Sequence, residues 1–268
     1  MTTSKKIAFL GAGAMATALA KGLLKKNYPK DKISAFDISK VTFAKFAEIT
    51  GIRESETPEE AIRDADIVIL AVKPQNMEAA TYRLKGLLAD KLIISIAAGI
   101  KISSIKEMTD SKRAVRVMPN TPALIGEGIS VITSSYETEQ EDIECVENIF
   151  KAVGETCKIE EKLMDAVTGL SGSGPAYVFD FIQALADAGV NCGLTREIAM
   201  KLVTRTVYGS AKMLIETGEH PSVLKDKVTS PGGTTAKGLA VLEKHAFKGI
   251  ISDAVLAAVE RSKELGRE

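Results

Sequence analysis

The chain has two histidines and three cysteines in 268 residues, and its charges cancel, with 35 lysines and arginines against 35 aspartates and glutamates. His220 and His245 have no ligand cluster around them and form no obvious His-Asp pair, so both read as surface or capping residues. Cys145, Cys157 and Cys192 show no C-x-x-C spacing, which argues against a disulfide framework and a zinc site; no metal is expected, and a reducing compartment fits best. Without a basic surplus nothing points to nucleic acid or an acidic membrane surface, leaving a small molecule as the default partner. No apolar run approaches the roughly twenty residues that span a bilayer. The start, Met1 to Lys6, leads straight into a short apolar stretch too brief for a leader core. A cytoplasmic protein is therefore expected. Internal repeats, low-complexity tracts and long linkers are also lacking, while 45% hydrophobic residues suffice for a sizeable core in two domains.

What the chain does have is concentrated near its start. Ile7-Ala8-Phe9-Leu10 is a strand-length apolar run, followed at once by Gly11-Ala12-Gly13-Ala14-Met15-Ala16 and an alanine-rich helical segment. About twenty residues on, Ile33-Ser34-Ala35-Phe36 ends in Asp37. Strand, G-x-G-x-x-A turn, helix, second strand and terminal acid form the dinucleotide-binding fingerprint in its proper order. Gly11 allows the tight turn, Gly13 lets the backbone approach a pyrophosphate, and Ala16 lets the helix lie near the strand. The amides that open the helix face the phosphates, and Asp37 is placed to accept hydrogen bonds from a ribose 2′-hydroxyl. Met15, Leu19 and Leu23 supply the apolar stripe of that helix, with Ala18, Ala20 and Gly22 keeping it slim.

Beyond Asp37 helices and strands alternate, as a parallel sheet with crossover helices requires. Val41 to Ile49 reads as a helix, and Thr57-Pro58-Glu59-Glu60 as the capped start of another. Ile67 to Val72 is a strand buried on both faces. A helix is expected from about Gln75 to Leu88, then a strand over Leu92 to Ile96, a short helix framed by Ser104 and Glu107, and a strand over Ala114 to Met118. Ile129 to Ile132 reads as a further strand, Thr138 to Glu141 caps a helix through about Val153, and Thr156 to Ile159 closes the sheet. The strand ends place Leu10, Gly11, Ala12, Gly13, Ala14, Met15, Ala71, Val72, Lys73, Pro74, Ala97, Ala98 and Asn120 along one crevice, since open α/β sheets bind ligands beyond the carboxyl ends of their strands. Lys73 has two readings, a solvated lysine or a cofactor contact.

From about Lys162 the strand pattern stops, and Asp165 to Leu170, Pro175 to Ala188, Thr195 to Glu216, Ser222 to Lys227, Thr235 to His245 and Ile250 to Leu265 read as helices, with Thr195 and Ser222 as N-caps. The fold class is thus α/β, an N-terminal Rossmann-type doubly wound sheet (residues 1–161) with a C-terminal all-helical domain (162–268). The helical half carries much apolar surface, which suits a symmetric dimer. Two of its breaks stand out. Thr168 to Tyr177, rich in glycine and serine, is either a close helix crossing or part of the site. Val228-Thr229-Ser230-Pro231-Gly232-Gly233-Thr234-Thr235-Ala236 is either a glycine-turn nest for an anion at a helix N-terminus or a loop with a threonine N-cap.

In this order, Gly11 to Ala16, Ala71-Val72-Lys73-Pro74-Gln75, Ser95 to Gly99, Met118 to Pro122, Leu170 to Tyr177 and Leu224 to Thr235 resemble the pyrroline-5-carboxylate reductase family over essentially the whole chain. The resemblance implies reduction of the C=N bond of 1-pyrroline-5-carboxylate to L-proline by NAD(P)H, the last step of proline biosynthesis. It also implies a helical dimerisation domain, a homodimer with larger rings of dimers common in the family, and a substrate site completed at the subunit interface. Ser230, Gly233, Thr234 and Thr235 are implied to hold the substrate, and Thr235 is the candidate proton donor or orienting group. One departure is Asp37, where many members carry serine or asparagine suited to a 2′-phosphate. A carboxylate repels that phosphate, with Lys40 near enough to offset part of the repulsion, so the sequence leans toward NADH over NADPH. The enzymatic rival on the same plan is a β-hydroxyacid dehydrogenase or another imine reductase, but the dehydrogenases usually place a lysine where Ser171 to Pro175 stands here. A non-catalytic nucleotide sensor is the rival of another class, and the intact Ser230 to Thr235 loop speaks against it.

Overall fold

A computed structural model of the chain describes residues 5–266. Contacts divide it into two compact units, Met1–Ser173 with Ala257–Glu268, and Gly174–Leu256.

The first unit opens with β1 (Ile7–Leu10), α1 (Ala14–Lys25), β2 (Ile33–Phe36), α2 (Lys40–Thr50), α3 (Pro58–Arg63) and β3 (Ile67–Leu70). It continues through α4 (Met77–Thr81), α5 (Lys85–Leu88), β4 (Leu92–Ser95), α6 (Ile102–Thr109), β5 (Ala114–Met118), β6 (Gly128–Ser134), α7 (Gln140–Phe150), β7 (Gly154–Lys158) and α8 (Met164–Val167). The strands form one sheet in the order β2-β1-β3-β4-β5-β6-β7. The first five are mutually parallel, β6 runs antiparallel to β5, and β7 runs parallel to β6.

Alternation along the strands divides the core into two layers. Ile7 and Phe9 of β1, with Ile67 and Ile69 of β3, pack on Leu19, Leu23, Phe43, Phe46 and Phe150. Ala8, Leu10, Val68 and Leu70 face the other way, onto Ile62, Leu84, Leu88 and Ile105. Both faces are dry, so continuous apolar runs in the sequence become central strands. Phe46 joins Phe9 and Phe43 at ring distances of 6.3 and 5.4 Å. Burying each such side chain is worth about 1.5–3 kcal/mol.

Several elements differ from expectation, each for a local reason. The helix expected over Gln75 to Leu88 is broken into α4 and α5. Thr81 turns its hydroxyl back onto the Met77 carbonyl at 2.9 Å, and the Leu84 amide closes on Thr81 O at 2.8 Å. The helix framed by Ser104 and Glu107 begins earlier, at Ile102, whose N–H is met by Glu161 Oε1 at 2.6 Å rather than by a local cap. Thr138 does not cap α7: its hydroxyl pairs with Ser135 Oγ at 2.9 Å, and Glu139 holds the cap position. Glu60 does reach back as a capping box requires, but to the Glu56 amide, while Thr57 Oγ1 accepts from Glu60 N–H. After α8 the helix widens into a π-turn over Thr168–Gly172, closed by Ser173 N–H to Thr168 O at 2.9 Å.

The second unit contains α9 (Gly174–Asn191), α10 (Arg196–Thr217), α11 (Pro221–Lys227), α12 (Thr234–Lys244) and the first part of α13 (Phe247–Leu265). Thr195 caps α10 through Ile198 N–H, as expected. At α11 the cap is His220 rather than Ser222, with Nδ1 accepting from the Ser222 amide at 3.3 Å. Ala186 and Ala199 are buried where α9 and α10 meet, and Arg196 pairs with Asp187 beside them. Phe179, Leu202, Ile215, Val241, Ile250 and Leu256 remain exposed in this single chain.

Gly22 shows how close the packing of α1 is. A Cβ there would stand 2.6 Å from Ala152 O and 2.8 Å from Val153 Cγ1, whereas one on Gly86 of α5 meets nothing within 4 Å. Gly22→Ala is expected to destabilise by about 1–3 kcal/mol, and Gly86→Ala to stabilise by about 0.5–1 kcal/mol. Urea midpoints at unchanged m-value measure both.

Candidate functional site

The carboxyl ends of β1, β3, β4 and β5 lie along one edge, and the chain reverses its direction of travel through the sheet between β1 and β3. Such a switch point opens a crevice. Backbone hydrogen bonds lace its rim. Gly11 N–H donates to Phe36 O at 2.8 Å, Ala71 N–H to Leu10 O at 2.8 Å, and Ile96 N–H to Leu70 O at 3.3 Å. Gly11 has φ +98°, and a Cβ on it would stand 2.7 Å from Ala71 O and 3.0 Å from Val72 Cγ1. The structure thus brings Leu10, Gly11, Ala71 and Val72 together and makes glycine obligatory in the turn.

Gly13 is different. It is the N-cap of α1 with φ −68°, no side chain caps the helix, and the space where its Cβ would project is empty to 4 Å. The amides of the first turn of α1 therefore have no intrahelical partner and no side-chain acceptor. An open approach to helix amides, with the dipole behind it, is what a phosphate group requires. Ala16, 1% exposed, keeps α1 close to the sheet.

Asp37 sits at the end of β2, half-buried, and does more than the sequence reading assigned to it. Its Oδ2 accepts from Ala12 N–H at 2.7 Å and its Oδ1 from Ser39 N–H at 2.8 Å. The carboxylate pins the glycine turn to the end of β2. The Asp-x-Ser pattern, in which a carboxylate takes the amide two residues on, was the sequence signal for half of this. Lys40 is held by Glu54 at 3.0 Å, so the cation expected to offset Asp37 has its own partner. Lys73 is exposed, and Ala97 is buried beside half-buried Ala98. Asn120 is half-buried, with its Oδ1 accepting from Ile129 N–H at 3.0 Å.

In the second unit the expected nest is a turn between α11 and α12. Gly232 has φ +68°, Gly233 N–H donates to Ser230 O at 3.0 Å, and Ser230 Oγ lies where a Cβ on Gly233 would be. The N-cap of α12 is Gly233, with no side-chain cap, so neither Thr234 nor Thr235 spends its hydroxyl on capping. Ser230, Gly233, Thr234 and Thr235 lie in one turn at the free N-terminus of an eleven-residue helix. In the Thr168–Gly172 turn, Gly172 lies against the Met118 side chain at the end of β5, where a Cβ would meet its methyl group. Among the described residues no cluster of histidine, cysteine or carboxylate can hold a metal ion. No described helix is long and apolar enough to cross a membrane.

Residues 161–265 match the model for pyrroline-5-carboxylate reductase dimerisation, and residues 6–99 match that for NADP oxidoreductase, coenzyme F420-dependent. Over 266 residues the chain is 46% identical to pyrroline-5-carboxylate reductase of Arabidopsis thaliana, covering 98% of this chain and 96% of that one. The chain belongs to the pyrroline-5-carboxylate reductase family. The Methanosarcina acetivorans pyrroline-5-carboxylate reductase is 43% identical over 99% of both chains. A crystal structure of the Plasmodium falciparum pyrroline carboxylate reductase with NADP bound superposes with a TM-score of 0.90 at 40% identity, covering 99% of this chain and 100% of that one. Within this family architecture, motif reading missed the second role of Asp37 and passed over Arg116, which is buried beside Glu161 and Asp165. Arg116 interrupts an apolar strand, and that interruption was its signal.

If Asp37 organises the turn, Asp37→Ala strands the Ala12 and Ser39 amides and lowers stability by about 1–2 kcal/mol. Asp37→Asn, which keeps one acceptor oxygen, recovers roughly half of that loss. Chemical denaturation without cofactor reads both.

Proposed function

We propose that this protein reduces the C=N bond of 1-pyrroline-5-carboxylate to L-proline, the last step of proline biosynthesis, with NADH or NADPH as reductant. The observation that carries this reading is the full-length family relationship, 46% identity over 98% of the chain, in a chain that keeps both an open Gly13 approach and an uncapped Gly233 turn.

The crevice fits a dinucleotide. Leu10, Gly11, Ala12, Gly13, Ala14 and Met15 would hold the pyrophosphate, Asp37 the adenosine ribose, and Ala71, Val72, Lys73, Pro74, Ala97, Ala98 and Asn120 the remaining wall. The cofactor, when bound, supplies a hydride to the imine carbon. For the substrate, the Thr234 and Thr235 amides that open α12 hold the carboxylate with the helix dipole behind them, while Gly233, its own amide closed on Ser230 O, shapes the turn. Ser230 and Thr235 place hydroxyls beside the ring nitrogen, and Thr235 orients that nitrogen or gives it a proton. A cyclic imine is basic enough that a weak donor suffices, which suits a chain whose histidines stand at helix ends, His220 capping α11 and His245 closing α12. Most of the rate then comes from holding the imine carbon in place, since positioning alone supplies on the order of 7–11 kcal/mol in the best cases.

We take residues 1–161 as the dinucleotide domain and 162–268 as the dimerisation and substrate domain. The exposed apolar side chains of α9, α10, α12 and α13 support a homodimer, with dimers gathered in a ring. We take the cytoplasm as its compartment, on cysteines without disulfide or metal-ligand spacing. The fixed carboxylate of Asp37 favours a ribose hydroxyl over a 2′-phosphate, so NADH serves at least as well as NADPH.

The test follows nicotinamide absorbance with each cofactor on pyrroline-5-carboxylate, other cyclic imines and hydroxy acids. Turnover confined to the pyrroline substrate, with NADH equal or better, is expected; a hydroxy acid as the preferred substrate contradicts the reading. Thr235→Ala should lower kcat about 10²-fold or more and leave the Kd of the dinucleotide unchanged. An unaffected kcat removes Thr235 from the mechanism.

A further inference from the structure

Arg116 stands in the middle of β5 among Ala114, Val115 and Val117, its side chain 5% exposed. A guanidinium does not shed its charge in a protein, so burial has to be answered by anions. Burial pulls its pKa below the ordinary value, and Asp165 and Glu161 act against that pull. Glu161 Oε1 lies 3.8 Å from Nη1 and Asp165 Oδ1 3.6 Å from Nη2.

Each carboxylate also holds something else. Glu161 Oε1 accepts the Ile102 N–H at 2.6 Å, at the start of α6, whose cap residue Lys101 offers no acceptor. Asp165 Oδ1 accepts from Ser262 Oγ at 2.8 Å, near the end of α13. Ser262 is one turn before Gly266, whose amide donates to Ser262 O at 3.2 Å. Gly266 presses on Gly99: a Cβ on Gly266 would stand 2.6 Å from Gly99 O, and a Cβ on Gly99 would stand 3.1 Å from Gly266 N. The two acids therefore act on opposite supports of one segment. Glu161 fixes the far end of Ala97 to Lys101 at Ile102, and Asp165 fixes the helix end that braces Gly99.

We propose that Arg116, acting through Glu161 and Asp165, is a positioning residue for the dinucleotide: it sets the Ala97–Gly99 wall of the crevice and ties that wall to the docking of the terminal helix. The proposal rests on the reading of Ala97 and Ala98 as cofactor contacts. Arg116 itself is buried, with its guanidinium turned to the two carboxylates.

The test compares Ser262→Ala, Glu161→Gln and Gly266→Ala with wild type, each in the full chain. The first two loosen the network, and the third disturbs the Gly99 brace with every charge in place. Kd for NADH is read by nicotinamide fluorescence, which needs no turnover, beside kcat, both KM values and the thermal midpoint. All three should raise the dinucleotide Kd and KM roughly five- to thirtyfold, with kcat and the imine KM within about twofold of wild type. A merely structural network would lower the midpoint and leave the Kd of the folded protein unchanged, and that result overturns the proposal. Wild type that binds NADH but does not reduce the imine contradicts the proposed function alone; wild type that binds neither NADH nor NADPH overturns both.

Discussion

The chain leaving β1 must pass between the ends of β2 and β3, and the carboxyl edge takes its shape from that passage. Gly11 at φ +98° makes the turn against Ala71 O, and its amide is taken by Phe36 O. Asp37 then holds the next amide, that of Ala12. With the turn tied on both sides, α1 begins with its amides directed at open space beside Gly13 rather than at protein. A residue with a Cβ at position 11 would push β1 from β3. The parallel register that aligns Leu10 with Leu70 and Leu70 with Ser95 would then no longer present its loops in one row.

The same constraint explains why so much of this half was legible. A glycine that only one backbone conformation requires, an apolar run buried on both faces and an acid at the end of the next strand are local signals, and local chemistry fixed them. Long-range partners were not legible. Ile102 is capped by Glu161, 59 residues away, and Asp165 meets Ser262 across 97 residues. Nothing in the spacing of Ser104 and Glu107 announced that the helix start had been given to a distant carboxylate. Thr138 failed as a cap because its hydroxyl is taken by Ser135, leaving Glu139 at the cap position without a side-chain bond, and Ser222 because His220 supplies the acceptor there.

The helical unit was legible as helices and as an apolar surface in want of cover, and its Gly232-Gly233 turn as a break with two readings. The structure favours the open turn over the threonine cap, because Gly233 holds the cap position and both threonine hydroxyls remain uncommitted to it. A scarcity that first looked like a gap, two histidines in 268 residues, fits the chemistry assigned to the family. An imine needs its carboxylate seated and its nitrogen oriented more than it needs a strong acid or base. At α1 and α12 the helix N-termini carry no side-chain cap, which leaves backbone amides without a side-chain acceptor, one set in each unit.

The central claim is that the Gly13 amides and the Gly233–Thr235 turn serve one reaction. Its most direct measurement is a crystal structure of the assembled protein with NADH and L-proline bound together. The account predicts the pyrophosphate on the amides that open α1 and the proline carboxylate on those that open α12, with the ring beside the nicotinamide. A structure in which the Ser230–Thr235 turn of every copy lies remote from every bound nicotinamide would contradict it.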